Sequence, residues 1–135
     1  MGDSKANGND DPRYFLADRF ATEQCGIEIE EAEPGHAVCS FTADSRHLNA
    51  MGAVMGGAVF TLADFACAVA SNIGQQPSVT VSSSIEYVAG AGGGDKLTAT
   101  CKADKSGRRL GFYTTRVCDE TGRLVALVSA TCMRV

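Results

Sequence analysis

The chain has 135 residues, a formal net charge of -4, 44% hydrophobic and 21% charged residues, the balance of one ordinary soluble domain. The negative charge argues against nucleic acid as a partner, since phosphate backbones are bound by basic surfaces. No apolar run approaches the ~18 residues of a membrane span and no secretory pattern opens the chain, so neither a membrane partner nor export is expected.

Met1-Gly2 begins like a myristoylation signal, but Ala6 stands where that signal needs Ser or Thr. Residues 1–11, MGDSKANGNDD, are polar and read as a disordered tail, leaving 12–135 as a single domain. Residues 12–24 predict a short amphipathic helix through Phe15, Leu16 and Phe20, with Pro12 suited to its first turn. Two strand-like runs follow, 27–32 and His36–Thr42, joined at the turn Glu33-Pro34-Gly35. Residues 43–52 are irregular.

From Gly56 to Asn72 the chain is rich in Ala and Leu, lacks Pro, and is closed off by Asn72 and Gly74. This predicts a helix, and its apolar residues circle nearly the whole circumference, so burial on all sides is expected. Strands are predicted at 78–88, 96–104, 110–119 and Leu124–Arg134, with turn chemistry at Lys105-Ser106-Gly107 and Glu120-Thr121-Gly122. The linker 89–94 holds four glycines and reads as a flexible loop, since no Gly-Lys-Ser/Thr follows to bind phosphate.

One helix with two strands before it and four after is an α+β domain, in which a sheet wraps a central helix. Such a sheet keeps an open edge, which makes pairing with a second copy the natural expectation. The six cysteines, at 25, 39, 67, 101, 118 and 132, are widely spaced and mostly set among apolar neighbours. They read as reduced, structural thiols, which points to a reducing compartment, the cytoplasm.

Between Arg46 and Glu86 the only formally charged residue is Asp64, flanked in the helix by Leu62, Ala63, Phe65 and Ala66. A carboxylate buried there needs a partner, a proton or a purpose. It is either a structural ion-pair member or a base whose proton affinity is tuned by burial. Gly56 and Gly57 open the same helix, exposing backbone N–H groups at the positive end of its dipole, where an anion or developing oxyanion is stabilised. His36 and His47 have polar neighbours and read as solvent-facing or strand-edge residues.

The stretch HLNAMGAVMGGAVFTLAD resembles the signature of phenylacetyl-CoA-type (PaaI-type) thioesterases of the hotdog superfamily, LN-x-x-G-x-x-HGG-x-x-x-x-LAD. Asn49, Gly52, Gly56, Gly57, Leu62, Ala63 and Asp64 match in register, and the likeness extends over residues 36–134 through VTVSSSIEYV, GDKLTATCKADKSGRR and DETGRLVALVSATC. The resemblance implies a curved antiparallel sheet around the 56–72 helix, assembled as a homodimer and often a homotetramer, and hydrolysis of an aryl- or alkyl-acyl-CoA.

On that resemblance Asp64 acts as general base or nucleophile, the Gly57 N–H polarises the thioester carbonyl, and Asn49 orients substrate or water. Thr80 falls near a strand position that carries Ser or Thr in some members, also placed to orient water. Met55 departs from the pattern, since His usually precedes Gly-Gly and a thioether cannot replace imidazole as a donor. Met55, Gly56 and Phe60 are expected at the acyl group. Lys102, Lys105, Gly107, Arg108 and Arg109 form one hairpin and offer cations to the CoA phosphates. No cofactor or metal is expected, CoA being part of the substrate. A hydratase would need an acid–base His beside Asp64, which the sequence lacks. The alternative to hydrolysis, suggested by Met55, is a catalytically weak acyl-CoA-binding or sensing protein.

Overall fold

The computed structural model describes residues 8–135. Six antiparallel strands form one sheet in the order β1-β2-β4-β5-β6-β3: β1 Glu28–Glu33, β2 His36–Thr42, β3 Ser78–Tyr87, β4 Lys96–Ser106, β5 Leu110–Cys118 and β6 Leu124–Arg134. The helix α1, Gly56–Asn72, lies across β2 and β4. The inward residues of those strands are small, Ala37 and Cys39 on β2 and Ala99 and Cys101 on β4, all fully buried. They meet the helix face that carries Ala63, Ala66 and Ala70, so small side chains on both sides let helix and sheet approach closely. Larger residues, Phe41, Phe65, Leu97, Tyr113 and Val117, are buried in the same core.

The sheet covers one side of α1 only. Gly57, Thr61, Asp64 and Ala68, which recur at helical spacing along one row, lie on the uncovered side. This corrects the expectation of burial all round, because a six-stranded sheet curves over the helix without closing around it. The strand β3 pairs with β6 alone and leaves its other edge open, with Val79 and Val81 exposed.

The segment before β1 is also not the amphipathic helix expected over 12–24. It is a 3-10 turn, Pro12–Ala17, followed by a π-helical turn, Phe20–Gln24, with Phe15 and Ala21 buried and Leu16 and Phe20 exposed. Six positions apart, Phe15 and Ala21 would point about 120° away from each other in a continuous α-helix, so the chain breaks at Asp18 to bring both inward.

Of the tail expected over 1–11, residues 1–7 lie outside the described residues. Asn9 is 2% exposed, and its amide donates to the carbonyls of Asn72 and Gln75, 2.8 Å each, where α1 ends. Gly74, at φ +62°, turns the chain there and donates its N–H to the Asn9 carbonyl. The last helical carbonyl, that of Asn72, thus accepts from the far end of the chain as well as from the nearby Gln75 N–H. Replacing Asn9 by Ala removes both bonds, leaves the Gln75 carbonyl without its donor, and is expected to lower stability by about 1–3 kcal/mol, read as an earlier midpoint in urea unfolding. An unchanged midpoint would show that water serves those carbonyls equally well.

Candidate functional site

The loop that leads into α1 is built around a buried imidazole. Asp44 caps the turn Ser45–His47, accepting from the Arg46 N–H at 2.9 Å, while the Asp44 N–H donates to His47 Nδ1 at 2.9 Å. His47 Nε2–H donates to the Cys25 carbonyl at 2.7 Å, and the ring stacks on Phe41 with centroids 4.2 Å apart. At 3% exposure His47 is a core residue, contrary to the solvent-facing reading, because its two nitrogens find backbone partners that the linear sequence does not reveal. His36 lies at the start of β2 beside Glu31. The His47 carbonyl in turn accepts the Met55 N–H at 2.7 Å and fixes the residue before the glycines.

Asn49 lies in the same loop and is exposed. Its side-chain oxygen accepts the N–H groups of Met51 and Ala53, at 2.9 and 3.1 Å, and Gly52 takes φ +86° to close the turn. The oxygen of Asn49 therefore shapes the loop, and its carboxamide NH2 has no hydrogen-bond partner among the described residues. The glycine-rich linker is tied down rather than free: Gly92 pairs with Ala53, the Val54 N–H donates to Ala91, and the Gly94 N–H donates to Ala43.

Met55 occupies the N-cap with an extended backbone and no side-chain cap, 56% exposed. Its carbonyl accepts from Ala58 and Val59. Among the described residues no acceptor meets the N–H of Gly56 or Gly57, so two donors stand free at the positive helix end. The Tyr87 hydroxyl donates to the Gly56 carbonyl at 2.9 Å. Phe60 is half-buried against the core on the next turn.

Asp64 shares the uncovered row with Gly57, seven residues further on, about 10.5 Å along the axis. The Thr61 hydroxyl lies between them and donates to the Gly57 carbonyl at 2.8 Å. Asp64 is exposed in the single chain, a correction to its expected burial that follows from the open side of α1. It has no ion pair or hydrogen bond among the described residues. Its carboxyl lines a cleft of about 290 Å³ with Thr61, Phe65 and Ala68 of α1 and with Asp18, Arg19 and Phe20 of the N-terminal turns. One side of the carboxylate reaches solvent while apolar groups crowd the other. That desolvation raises its pKa above the ordinary aspartate value, and the negative field of Asp18 adds to the shift. Asp18 is raised by desolvation in its turn.

Thr80 lies in one row with Gly111 and Cys132 on the helix side of the sheet. Its hydroxyl is 3.6 Å from Cys132 Sγ, and Cys132 Sγ is 3.8 Å from Cys67 Sγ, one turn beyond Asp64 on α1. All six cysteines are free thiols. Lys102, Lys105, Arg108 and Arg109 are exposed on the β4–β5 hairpin, and none has an ion-pair partner among the described residues. Gly107 is required there, since a Cβ would lie 2.7 Å from the Leu110 carbonyl. The hairpin tip is held by Arg134, whose guanidinium donates to Ser106 Oγ and to the carbonyls of Ser71 and Gln76. It therefore sits at the C-terminal end of α1, where Ser71 lies roughly 21 Å from Gly57 along the helix axis. One chain brings Asn49, Met55, Gly56 and Gly57 together at one end, Asp64 and Thr80 near the middle, and the basic hairpin at the other.

Asp18 and Tyr87 are contacts that sequence reasoning missed, each reaching the site from an element remote in the chain. The Asp18 field has a measurable consequence. In a carboxyl NMR titration Asp64 is expected to lose its proton at higher pH than Asp11 and Asp44, which hydrogen bonds from Arg13 and Arg46 hold below the usual range. Asp18→Asn should move the Asp64 midpoint to lower pH. An unmoved midpoint would show that Asp18 does not reach Asp64.

The family model described as the thioesterase superfamily matches residues 51–126. Acyl-coenzyme A thioesterase PaaI of Escherichia coli is 31% identical over 110 residues, covering 82% of this chain and 79% of its own. The solved TT0310 protein of Thermus thermophilus superposes with a TM-score of 0.81 at 34% identity, covering 84% of this chain and 96% of its own. A hypothetical thioesterase of Streptococcus pneumoniae, solved with coenzyme A, superposes with a TM-score of 0.84 at 26% identity, over 91% and 95% of the two chains. This chain belongs to the thioesterase superfamily, as a PaaI-type protein of the hotdog fold.

Proposed function

We propose that the chain hydrolyses the thioester of an aryl- or alkyl-acyl-CoA to the free acid and CoA, at sites completed by a second copy. The reading rests on one observation: the free N–H of Gly57 and the carboxylate of Asp64 share one uncovered helical row, too far apart to act on a single carbonyl. A thioester carbon and its attacking group must meet within ~3 Å. Two such rows packed antiparallel about a two-fold axis bring Gly57 of one copy to Asp64 of the other, and they cover the open side of α1. The free edge of β3 supports pairing of the same two copies into a longer sheet.

In the reaction Asp64 takes a proton from water as the water oxygen bonds to the thioester carbon. The carbonyl oxygen gains the negative charge, and the Gly57 N–H meets it at the positive end of α1. Collapse breaks the C–S bond, and the departing CoA thiolate recovers the proton. As nucleophile instead, the Asp64 carboxylate bonds to the thioester carbon and expels the CoA thiolate, and water then opens the resulting mixed anhydride to the free acid and Asp64, its proton passing to the thiolate. Asn49 and the Thr80 hydroxyl orient carbonyl and water, while Met55 and Phe60 border the acyl group. Lys105, Arg108 and Arg109, at the opposite end of α1 from Gly57, offer cations to the CoA phosphates in an antiparallel pair. The likeness to a protein solved with coenzyme A supports that ligand. Exposed Val79, Leu110 and Phe112 on the outer face of the sheet support association of dimers into a tetramer, and six free thiols support a cytoplasmic setting.

A panel of aryl- and alkyl-CoAs, with released thiol as the signal, tests the reading. Asp64→Asn is expected to keep fold and dimer and to lose about 100-fold or more in kcat. Near-normal turnover by that variant would refute the role of Asp64. The shared site has its own test. Equal amounts of Asp64→Asn and Asn49→Ala chains, each inactive, are unfolded, mixed and refolded. Random pairing gives half heterodimers with one intact site each, so about a quarter of wild-type activity should return. A mixture no more active than its components would exclude a site drawn from two copies.

A further inference from the structure

We infer that Tyr87 is a positioning residue for the oxyanion donor: its hydroxyl holds and polarises the Gly56–Gly57 peptide whose N–H meets the thioester carbonyl. The inference rests on the reading of Gly57 given above and extends it to a residue from another element. The Gly56 carbonyl and the Gly57 N–H belong to one planar amide group, so fixing the oxygen fixes the direction of the donor. Tyr87 ends β3, where it pairs with Ala126 of β6, and its hydroxyl reaches 2.9 Å from the Gly56 oxygen. A carbonyl has two acceptor lone pairs, so this bond adds to the helical ladder without competing with it.

Three features make such an outside hold necessary. The helix begins with two glycines, the residues with most conformational freedom to lose. The N-cap Met55 supplies no side-chain bond to its own first turn. Where an imidazole is usual in the family pattern, this chain has only a thioether. Tyr87 anchors the first turn from the sheet instead. A hydrogen bond accepted at an amide oxygen also withdraws charge from the nitrogen, which strengthens its N–H as a donor. A Cβ at Gly56 would lie 3.0 Å from both the hydroxyl and the ring carbon that carries it, so a larger residue there would displace the tyrosine from this contact. The tyrosine ring also walls an apolar cleft of about 380 Å³ with Val54, Val59, Val88 and Val125, next to the donor it orients.

Tyr87→Phe retains the ring and the cleft wall and removes only the hydroxyl. It is expected to lower kcat about 5–10-fold with KM within about twofold, in a variant of unchanged thermal midpoint and dimeric state. Carbonyl polarisation is read directly by Raman difference spectra of benzoyl-CoA, labelled with 13C at the carbonyl and bound to Asp64→Asn so that it is not turned over. The C=O stretch should lie below its solution frequency, and adding Tyr87→Phe should return it part of the way upward. A stretch unshifted in Asp64→Asn itself would refute the Gly57 donor, and this inference with it. A shifted stretch that Tyr87→Phe leaves in place would overturn the Tyr87 inference alone, as would a loss confined to KM.

Discussion

The close seating of α1 on the sheet sets the rest of the structure. Alanine and cysteine on both sides of the contact remove the bulk that would hold helix and sheet apart. With its inner face so committed, the helix can present only one row outward, and the sequence places Gly57, Thr61, Asp64 and Ala68 there. A larger side chain at Ala66 or Ala99 would tilt or lift the helix and move the glycine N–H groups and the carboxylate together. Geometry at the reacting end is therefore inherited from packing at the buried one.

Much of the architecture is legible in the amino-acid order because local signals agree with the global outcome. The bounds Gly56–Asn72, His36–Thr42 and Leu124–Arg134 match the expected ones, since Gly, Pro and Asn mark their ends and no competing signal lies inside. Asp64 is visible as a lone charge in a neutral stretch, and Gly56-Gly57 as a helix start without a cap. What the sequence conceals is tertiary. Nothing local says that His47 is sealed between Phe41 and the Cys25 carbonyl, or that Asn9 caps a helix 63 positions away. The side of α1 left open depends on how far the sheet curves, which hydropathy around a helix does not encode. The N-terminal turns look helical because Phe15, Leu16 and Phe20 are near one another in sequence, yet only Phe15 is buried.

Charge is distributed against the net balance. The chain is acidic overall, but the β4–β5 hairpin gathers cations without ion-pair partners among the described residues, while Asp64 and Asp18 share a cleft with Arg19, which is itself paired with Glu23. Separation of the two signs along α1 puts the basic group beside the negative helix end and leaves the positive end to backbone N–H groups. A polyanionic ligand laid along this axis meets cations at one end and a proton acceptor nearer the middle.

Position 55 holds its place through backbone bonds alone: its N–H donates to His47, its carbonyl accepts from Ala58 and Val59, and its side chain caps nothing. Fold and side-chain identity are consequently decoupled at this residue. A gene can exchange methionine for an imidazole, an amide or an aliphatic chain here with little effect on folding, while each exchange alters the chemistry at the mouth of the site. Such a position is where divergence between related enzymes is cheapest to explore, and where substrate range can drift long before the scaffold does.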